Sequence, residues 1–307
     1  METRKMKEEK EKKEIKSGFV AVVGRPNVGK SSLINAIIGT KVSITSPKPQ
    51  TTRNKIIGIK NTENEQIIFV DTPGQLRPRN ALGEYMKKSI ETAVSGIDLL
   101  LIVLDGSKII PSDYKLIESY KNTEVPVIVV INKTDITKLD KVFAELNELN
   151  NFTFVKEFIS VSAKTGKNID KLEKLIIENI HDNQIYFERD SYTDKSLRFM
   201  VSEIIREKAL IYLQKEIPHG IAVDITKYDE GKMVTINADI IATKKNHKQI
   251  IIGKNGEMLK KIGTSARKEI EMLLGKKVFL ELFVKIRENW QENLSHLKEF
   301  GYDKNKL

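Results

Sequence analysis

The first part of the chain alternates short apolar runs with segments of helical periodicity. Runs of this length without polar alternation are typical of strands that are covered on both faces, as in a parallel sheet flanked by helices. The first four runs end in Gly, Asp or Asn, and ligands bind at the carboxyl ends of strands in open α/β sheets. The runs are 19–23, 67–70, 99–104, 125–131 and 158–161. We therefore predict an α/β domain over residues 17–180, with its polar residues gathered where a site would form.

The last third of the chain has a different pattern. Periodicity lapses over 181–193, which we interpret as a linker, and then follows the order helix, strand, strand, helix, helix, strand. Apolar and polar residues alternate over 221–225 and 234–240, on either side of the turn at 229–231, which predicts a hairpin with one buried face. We therefore predict a separate α+β domain over residues 194–307, ending in a helical tail.

The amino-acid composition and net charge exclude some kinds of site and favour some kinds of binding partner. The 307 residues carry a formal net charge of +10 and include no cysteine. A disulfide framework and a Cys-ligated zinc site are thereby excluded, and a polyanionic partner is favoured, with RNA and anionic lipid both open. Residues 1–16 alternate Lys and Glu without the apolar core of a signal peptide, so we expect a solvated, disordered arm rather than a specific binding element. We expect a cytoplasmic monomer.

A glycine-rich segment directly follows the first predicted strand and precedes a helical pattern. Gly24-x4-Gly29-Lys30-Ser31 is the phosphate-binding loop of nucleotide hydrolases in the context that makes it credible. Its backbone N–H groups would donate to phosphate oxygens at the N-terminus of a helix. Lys30 would add charge at the β- and γ-phosphates, and the Ser31 hydroxyl would ligate Mg²⁺.

Three further segments select guanine. Asp71-Thr72-Pro73-Gly74 ends a predicted strand, where an aspartate linked to Mg²⁺ and a glycine that senses the γ-phosphate are expected. Asn132-Lys133-Thr134-Asp135 ends another, and its Asp135 carboxylate can accept hydrogen bonds from guanine N1–H and the 2-amino group. Adenine does not offer these donors, so it would leave Asp135 unpaired. Ser162-Ala163-Lys164 can close over the base. The predicted nucleotide-binding residues are Gly24, Arg25, Pro26, Asn27, Val28, Gly29, Lys30, Ser31, Ser32, Asp71, Thr72, Pro73, Gly74, Asn132, Lys133, Asp135, Ser162, Ala163 and Lys164.

At these residues the chain resembles the translation-factor-related class of small GTPases. Pro49-Gln50-Thr51-Thr52-Arg53 matches the first switch of that class, and the resemblance implies that Thr52 is the second Mg²⁺ ligand and senses the γ-phosphate. The predicted metal ligands are Ser31, Thr52 and Asp71. The predicted catalytic residues are Asn27, Lys30, Thr52, Gly74 and Gln75. Two of these have alternatives: Gln75 orients water or is an exposed switch residue, and Asn27 ligates K⁺ or only shapes the turn.

A second loop predicts contact with nucleic acid. Gly253-Lys254-Asn255-Gly256 joins two helical segments after the hairpin and before the last strand, which is the order of a type II KH domain. A Gly-x-x-Gly loop lets a nucleic-acid backbone approach closely, and the flanking helices are rich in lysine. The predicted RNA-binding residues are Ile252, Gly253, Lys254, Asn255, Gly256, Lys260 and Lys261.

The pairing of these domains resembles the Era family of bacterial GTPases over residues 17–303. Segments 82–86, 216–219, 270–275 and 300–302 extend the likeness beyond the generic motifs, whereas Gln75 departs from it. The resemblance implies GTP/GDP with Mg²⁺, binding of 16S ribosomal RNA near its 3′ end, assistance to small-subunit assembly, and peripheral contact with the inner face of the cell membrane. The alternative is an RNA-binding module whose nucleotide site is structural or regulatory.

Overall fold

The computed structural model describes residues 15–75, 78–138 and 147–307. Residues 1–14 of the predicted arm therefore lie outside the described residues. Lys16 is already the first residue of a strand, one position before the predicted start of the domain.

The first domain is built on a six-stranded sheet with the order β2-β3-β1-β4-β5-β6. Neighbouring strands are parallel except for β2, which runs antiparallel to β3. This confirms the predicted α/β fold with a mostly parallel sheet. Its elements are β1 Lys16–Val23, α1 Lys30–Ile38, β2 Ile56–Asn61, β3 Glu65–Asp71, α2 Ala81–Ala93, β4 Leu99–Asp105, α3 Pro111–Glu118, β5 Val127–Asn132, β6 Glu157–Ser160 and α4 Ile169–Ile177.

Strand β2 is not one of the apolar runs that the sequence displays. It is an edge strand, and Gly58 interrupts its apolar residues. A Cβ at Gly58 would lie 2.6 Å from Ile38 Cδ1 and 3.0 Å from Val42 Cγ2. A glycine is therefore needed at this position because α1 and the residues after it approach the strand closely. Tertiary packing, rather than local strand propensity, explains the residue.

The sheet is buried on both faces, as the apolar runs predict. Alternate residues of β1, such as Val20 and Val22, pack toward α1 and α4, whereas Ala21 and Val23 pack toward α3. Helices on both faces leave the ends of the strands as the accessible edges, and the carboxyl ends of β1, β3 and β5 lead into the predicted nucleotide loops.

The second domain has a three-stranded sheet with the order β7-β8-β9. Strands β7 and β8 are antiparallel, β8 and β9 are parallel, and three helices bury their apolar sides against one face. The predicted type II KH order is confirmed. Its elements are α5 Leu197–Tyr212, β7 Ala222–Asp229, β8 Val234–Ala242, α6 Lys245–Ile252, α7 Glu257–Leu274, β9 Val278–Ile286 and α8 Leu294–Glu299.

The predicted linker, residues 181–193, lies along the edge of the first domain. Asp182 and Thr193 form isolated bridges with Ser17 and Gly58. The fully buried amide of Gln66 accepts from the backbone N–H groups of Tyr186 and Phe187, at 2.8 and 3.0 Å. The segment connects the domains without a helix or named strand, and these hydrogen bonds fix its path.

A hydrophobic cluster joins the two domains. Leu82, Tyr85 and Met86 of α2 pack with Trp290 and Tyr302 of the C-terminal tail, along with residues from β7 and β8. The indole Nε1 of Trp290 donates to the carbonyl of Gly220 at 2.9 Å. The tail therefore acts as shared core between the domains. In the part of the chain that the structure describes, every helix is too short or too polar to cross a membrane.

Candidate nucleotide site and nucleic-acid surface

The loop between β1 and α1 has a backbone that only glycine fits at two positions. Gly24 and Gly29 have φ values of 156° and 100°. A Cβ would lie 2.5 Å from the carbonyl oxygen of Val103 at Gly24, and 2.2 Å from Asn132 Nδ2 at Gly29. Helix α1 begins at Lys30, so the loop presents the N-terminus of a helix to the cavity in front of it.

Lys30 is buried beneath this loop. Its Nζ donates to the carbonyl oxygens of Gly24 and Arg25, each at 3.1 Å. Burial lowers the pKa of Lys30 to about 8, and attraction to Asp71 partly opposes that shift. The carbonyl oxygens that accept from Lys30 carry only partial negative charge, so a bound phosphate would give the Lys30 ammonium group a fully anionic partner.

The three predicted metal ligands converge. Ser31 Oγ lies 2.7 Å from Asp71 Oδ2 and 2.9 Å from Thr52 Oγ1, and Thr52 Oγ1 lies 3.4 Å from Asp71 Oδ2. Burial raises the pKa of Asp71 against the attraction of Lys30, and Asp71 Oδ1 is buried without a hydrogen-bond partner in the described structure. An all-oxygen cluster with an unsatisfied carboxylate atom suits a hard cation such as Mg²⁺.

The predicted base-binding segments meet through Asn132. Its Nδ2 donates to the carbonyl of Val28 at 2.9 Å, and its Oδ1 accepts from the N–H of Ala163 at 3.0 Å. Ser162 Oγ donates to Asp135 Oδ1 at 2.8 Å, and Lys133 Nζ donates to the carbonyl of Asn27 at 2.6 Å. The phosphate loop and both base-binding segments therefore form one connected framework, with the Asp135 carboxylate exposed.

Several predicted nucleotide-binding residues have structural contacts. Arg25 pairs with the buried Asp113 at 2.5 Å, and Thr72 Oγ1 donates to the carbonyl of Val22 at 2.8 Å. Val28 is fully buried, and Lys164 is exposed. The sequence does not identify Asp113, since an acidic residue in the first turn of α3 is also an ordinary helix cap.

Gln75 and Asn27, the two predicted catalytic residues with alternative roles, have different surroundings. The side chain of Gln75 lies beside Tyr120, where it partly opposes the rise that burial causes in the pKa of the Tyr120 hydroxyl. The backbone N–H of Gln75 donates to the carbonyl of Gly24 at 3.2 Å. Asn27 has a left-handed backbone with φ of 64°, and its Nδ2 donates to the carbonyl of Pro47 at 2.8 Å. Asn27 thus connects the phosphate loop with the residues just before the first switch, whereas Gln75 is not among the residues that line the cavity described below.

A cavity of about 510 Å³ lies in front of these residues. Gly29, Lys30 and Ser31 form its floor, the first switch forms one wall, and Gly74 borders it. A Cβ at Gly74 would lie 2.7 Å from the backbone of Pro26, so glycine allows the second switch to approach the phosphate loop. Ile211 of the second domain also lines the cavity, which the sequence does not indicate.

The Gly-x-x-Gly loop lies between α6 and α7, as predicted. Gly253, Asn255 and Gly256 have φ values of 74°, 52° and 79°, so the loop turns tightly. Lys254, Asn255, Lys260 and Lys261 are exposed, and Lys261 Nζ lies 4.5 Å from the ring centroid of Tyr212. These exposed donors suit contact with a phosphate backbone.

A groove of about 640 Å³ runs between these helices and β9. Ile252 and Leu259 form its apolar side, Phe283 and Lys285 border it from β9, and Lys248 adds a second cation. Lys285 Nζ pairs with Asp239 Oδ2 within the groove at 2.6 Å. Phe283 is 45% exposed. Sequence reasoning missed Phe283 and Lys285, although an exposed aromatic residue that alternates with the buried positions of β9 was an available signal. Aromatic rings beside cations are features that bind single-stranded bases.

Family models match both units of the chain. One described as a 50S ribosome-binding GTPase matches residues 19–133, and one described as a KH domain matches residues 216–291. The GTPase Era of Clostridioides difficile strain 630 is 45% identical over 293 residues, which cover 94% of this chain and 99% of that protein. The chain belongs to the GTPase Era family. It is accordingly a GTPase with a C-terminal KH domain.

Two solved Era structures agree with the whole architecture. A point variant of Aquifex aeolicus Era bound to GDP·AlF4⁻ has a TM-score of 0.89 and 40% identity, with 94% of this chain and 100% of that chain covered. Era in complex with MgGDPNP and nucleotides 1506–1542 of 16S ribosomal RNA has the same TM-score and identity, with 94% and 99% covered. The likeness therefore extends over both domains.

Gly29→Ala tests the phosphate loop. The new methyl group would displace Asn132, so we expect GDP affinity measured by calorimetry to fall by about a hundredfold or more. Gly39→Ala is the matched control because Gly39 also has a positive φ, 83°, but has no atom within 4 Å of its Cβ position. Equal losses in the two variants would contradict the role assigned to the contact between Gly29 and Asn132.

Proposed function

We propose that this chain is a GTP-hydrolysing switch that binds small-subunit ribosomal RNA near its 3′ end and assists small-subunit assembly. The observation that carries the proposal is the union of a guanine-selective phosphate site and a Gly-x-x-Gly surface within one Era-family chain. The solved Era complex with MgGDPNP and a 16S RNA fragment supports both ligands.

Selection of guanine depends on Asp135. The carboxylate is exposed at the open end of the site, and Ser162 Oγ donates to only one of its oxygens. It therefore retains acceptor capacity for the N1–H and 2-amino groups of guanine. Asn132 holds the Asp135 segment at a fixed distance from the phosphate loop, which allows one ligand to contact both.

Hydrolysis depends on positive charge at the phosphates and on the position of Thr52. The Lys30 ammonium group lies beneath the phosphate loop and supplies positive charge there. The oxygens of Ser31, Thr52 and Asp71 would hold Mg²⁺. When bound, the ion neutralises charge that develops on the transferring phosphoryl group. Buried and preoriented groups stabilise that charge more effectively than mobile ones, since they do not reorganise during the reaction.

The contribution of Asn27 is part of the same proposal. Its contact with the carbonyl of Pro47 places it between the phosphate loop and the first switch, where a K⁺ ion would add further charge. Asn27 lines the cavity, whereas Gln75 does not, which favours Asn27 over Gln75. Potassium ligation by Asn27 stays a prediction.

The RNA would follow the Gly-x-x-Gly loop and the adjacent groove. Lys254 and Asn255 are exposed for the backbone, and the groove beside Phe283 is open to bases. The net charge of +10 favours association with RNA at low ionic strength. We also propose that the chain acts as a cytoplasmic monomer, and its basic charge supports peripheral contact with anionic lipid on the inner face of the membrane.

Asp135→Asn tests the guanine assignment. An amide offers a donor where guanine also donates, so affinity should shift from GTP toward xanthosine triphosphate, with GTP affinity about a hundredfold lower. Competition binding measures both nucleotides. Asp170→Asn, which changes an exposed aspartate in the first turn of α4, should leave the preference unchanged. Unaltered GTP affinity in Asp135→Asn would refute the assignment.

Lys254→Asp combined with Asn255→Asp tests the RNA surface. Charge reversal should weaken binding of a 16S 3′-end RNA fragment by about tenfold or more while turnover of GTP without RNA stays near normal. The control combines Lys232→Asp and Asn183→Asp, which make the same charge change at exposed sites outside the loop and its two flanking helices. RNA affinity that falls equally in both pairs would show that net charge, rather than the loop, governs binding.

A further inference from the structure

The segment 41–54, which contains the first-switch motif at residues 49–53 and is called the switch segment below, lies directly against the second domain. Thr45 N–H donates to Glu207 Oε1 at 2.8 Å near one end of the switch segment. Near the other end, the guanidinium of Arg53 donates to the carbonyls of Ile221 and His219 at 2.6 and 3.0 Å. The switch segment therefore has contacts to the KH domain on both sides of the residue that is expected to sense the γ-phosphate.

Arg206 on α5 contacts the residue that precedes Thr52. Its Nη2 donates to the carbonyl oxygen of Thr51, which belongs to the peptide unit that joins Thr51 to Thr52. Because the peptide unit is planar, fixing this carbonyl also fixes the direction of the Thr52 N–H. The orientation of Thr52 relative to Ser31 and Asp71 thus depends in part on a side chain of the other domain.

The guanidinium of Arg206 is itself held in place. Its Nε and Nη2 donate to the two carboxylate oxygens of Glu203, both at 2.7 Å, one turn earlier on the same helix. The Arg206 and Glu203 side chains are 1% and 9% exposed. A planar guanidinium with two parallel bonds to a carboxylate has a fixed direction, which a lysine ammonium in the same place does not have.

We propose that Arg206 is a positioning residue for GTP hydrolysis, through which the KH domain holds Thr52 in the geometry that Mg²⁺ and the γ-phosphate require. The inference rests on the proposed hydrolysis of GTP. The Arg206 contact should matter for GTP and not for GDP, because GDP has no γ-phosphate for Thr52 to contact. Loss of the Arg206 contact should therefore affect GTP binding and Mg²⁺ dependence while leaving GDP binding intact.

Arg206→Lys in the full-length protein is the test. Lysine keeps the positive charge beside Glu203 but cannot reproduce the fork that also reaches Thr51. The Mg²⁺ concentration for half-maximal GTP turnover should rise about tenfold, and affinity for a non-hydrolysable GTP analogue should fall by about the same factor. GDP affinity should change less than about twofold.

Arg267→Lys is the matched control. Arg267 pairs with Glu271 at 3.0 Å on α7, so the same substitution is made in another intrahelical ion pair, one whose described hydrogen bonds do not involve residues 41–54. This variant should match the unmodified protein in all three measurements. Equal losses of GDP and GTP-analogue affinity in Arg206→Lys, or an unchanged Mg²⁺ dependence, would overturn the proposal.

A second variant, Glu203→Gln, tests the same proposal if Arg206→Lys does not fold. Glu203→Gln keeps the size of the side chain but removes the charge that orients Arg206, so it should lower the ratio of GTP-analogue to GDP affinity by a smaller factor. An unchanged ratio in Glu203→Gln would then overturn the proposal. Absence of turnover in the unmodified protein would refute the proposed function, and the affinity ratio would still decide the role of Arg206.

Discussion

A carboxylate buried at the end of β3 is the constraint on which the nucleotide site depends. Asp71 is fully buried, and one of its oxygens has no hydrogen-bond partner in the described structure. Burying a charge without compensation is costly, so the surrounding groups must supply donors or a cation must bind. Ser31 of α1 and Thr52 of the first switch hydrogen-bond with Asp71, and the charge of Lys30 attracts it. Thr52 thereby connects the first switch to this carboxylate.

The second domain contributes to that same position. Arg206, Glu207 and Ile211 of α5 all lie against the first switch or the cavity, and Arg53 of the switch reaches the backbone before β7. The hydrophobic cluster around Trp290 joins α2 to the C-terminal tail. Any ligand that shifts one domain relative to the other must change these contacts, which gives nucleotide and RNA sites a physical route for coupling.

Local patterns predicted most of the fold and of the nucleotide site. Five apolar runs became strands, and the phosphate loop, Asp71, Asn132 and Asp135 came together because each is encoded by a short segment at the end of a strand. Strand β2 was not apparent, since Gly58 is explained only by the approach of Ile38 and Val42. The path of residues 181–193 depends on the amide of Gln66, more than a hundred residues away.

The contacts between the domains could not be predicted from the sequence, because they too join residues that are far apart along the chain. Charged residues in an amphipathic helix normally face water, so Glu203, Arg206 and Glu207 carry no sign that they are buried against a switch segment. Phe283 and Lys285 likewise form a groove with residues of α6 and α7 only after the sheet is assembled. Periodicity identifies which face of an element is apolar, but it does not identify what covers the polar face.

One switch segment serves both the nucleotide site and the KH domain. The most direct measurement is the affinity of a 16S 3′-end RNA fragment with GDP and with a non-hydrolysable GTP analogue bound, together with the affinities of both nucleotides with and without that RNA. Linkage requires that the two ratios agree, and we expect a common factor of about five or more in favour of the GTP analogue. Ratios equal to one in both directions would contradict it.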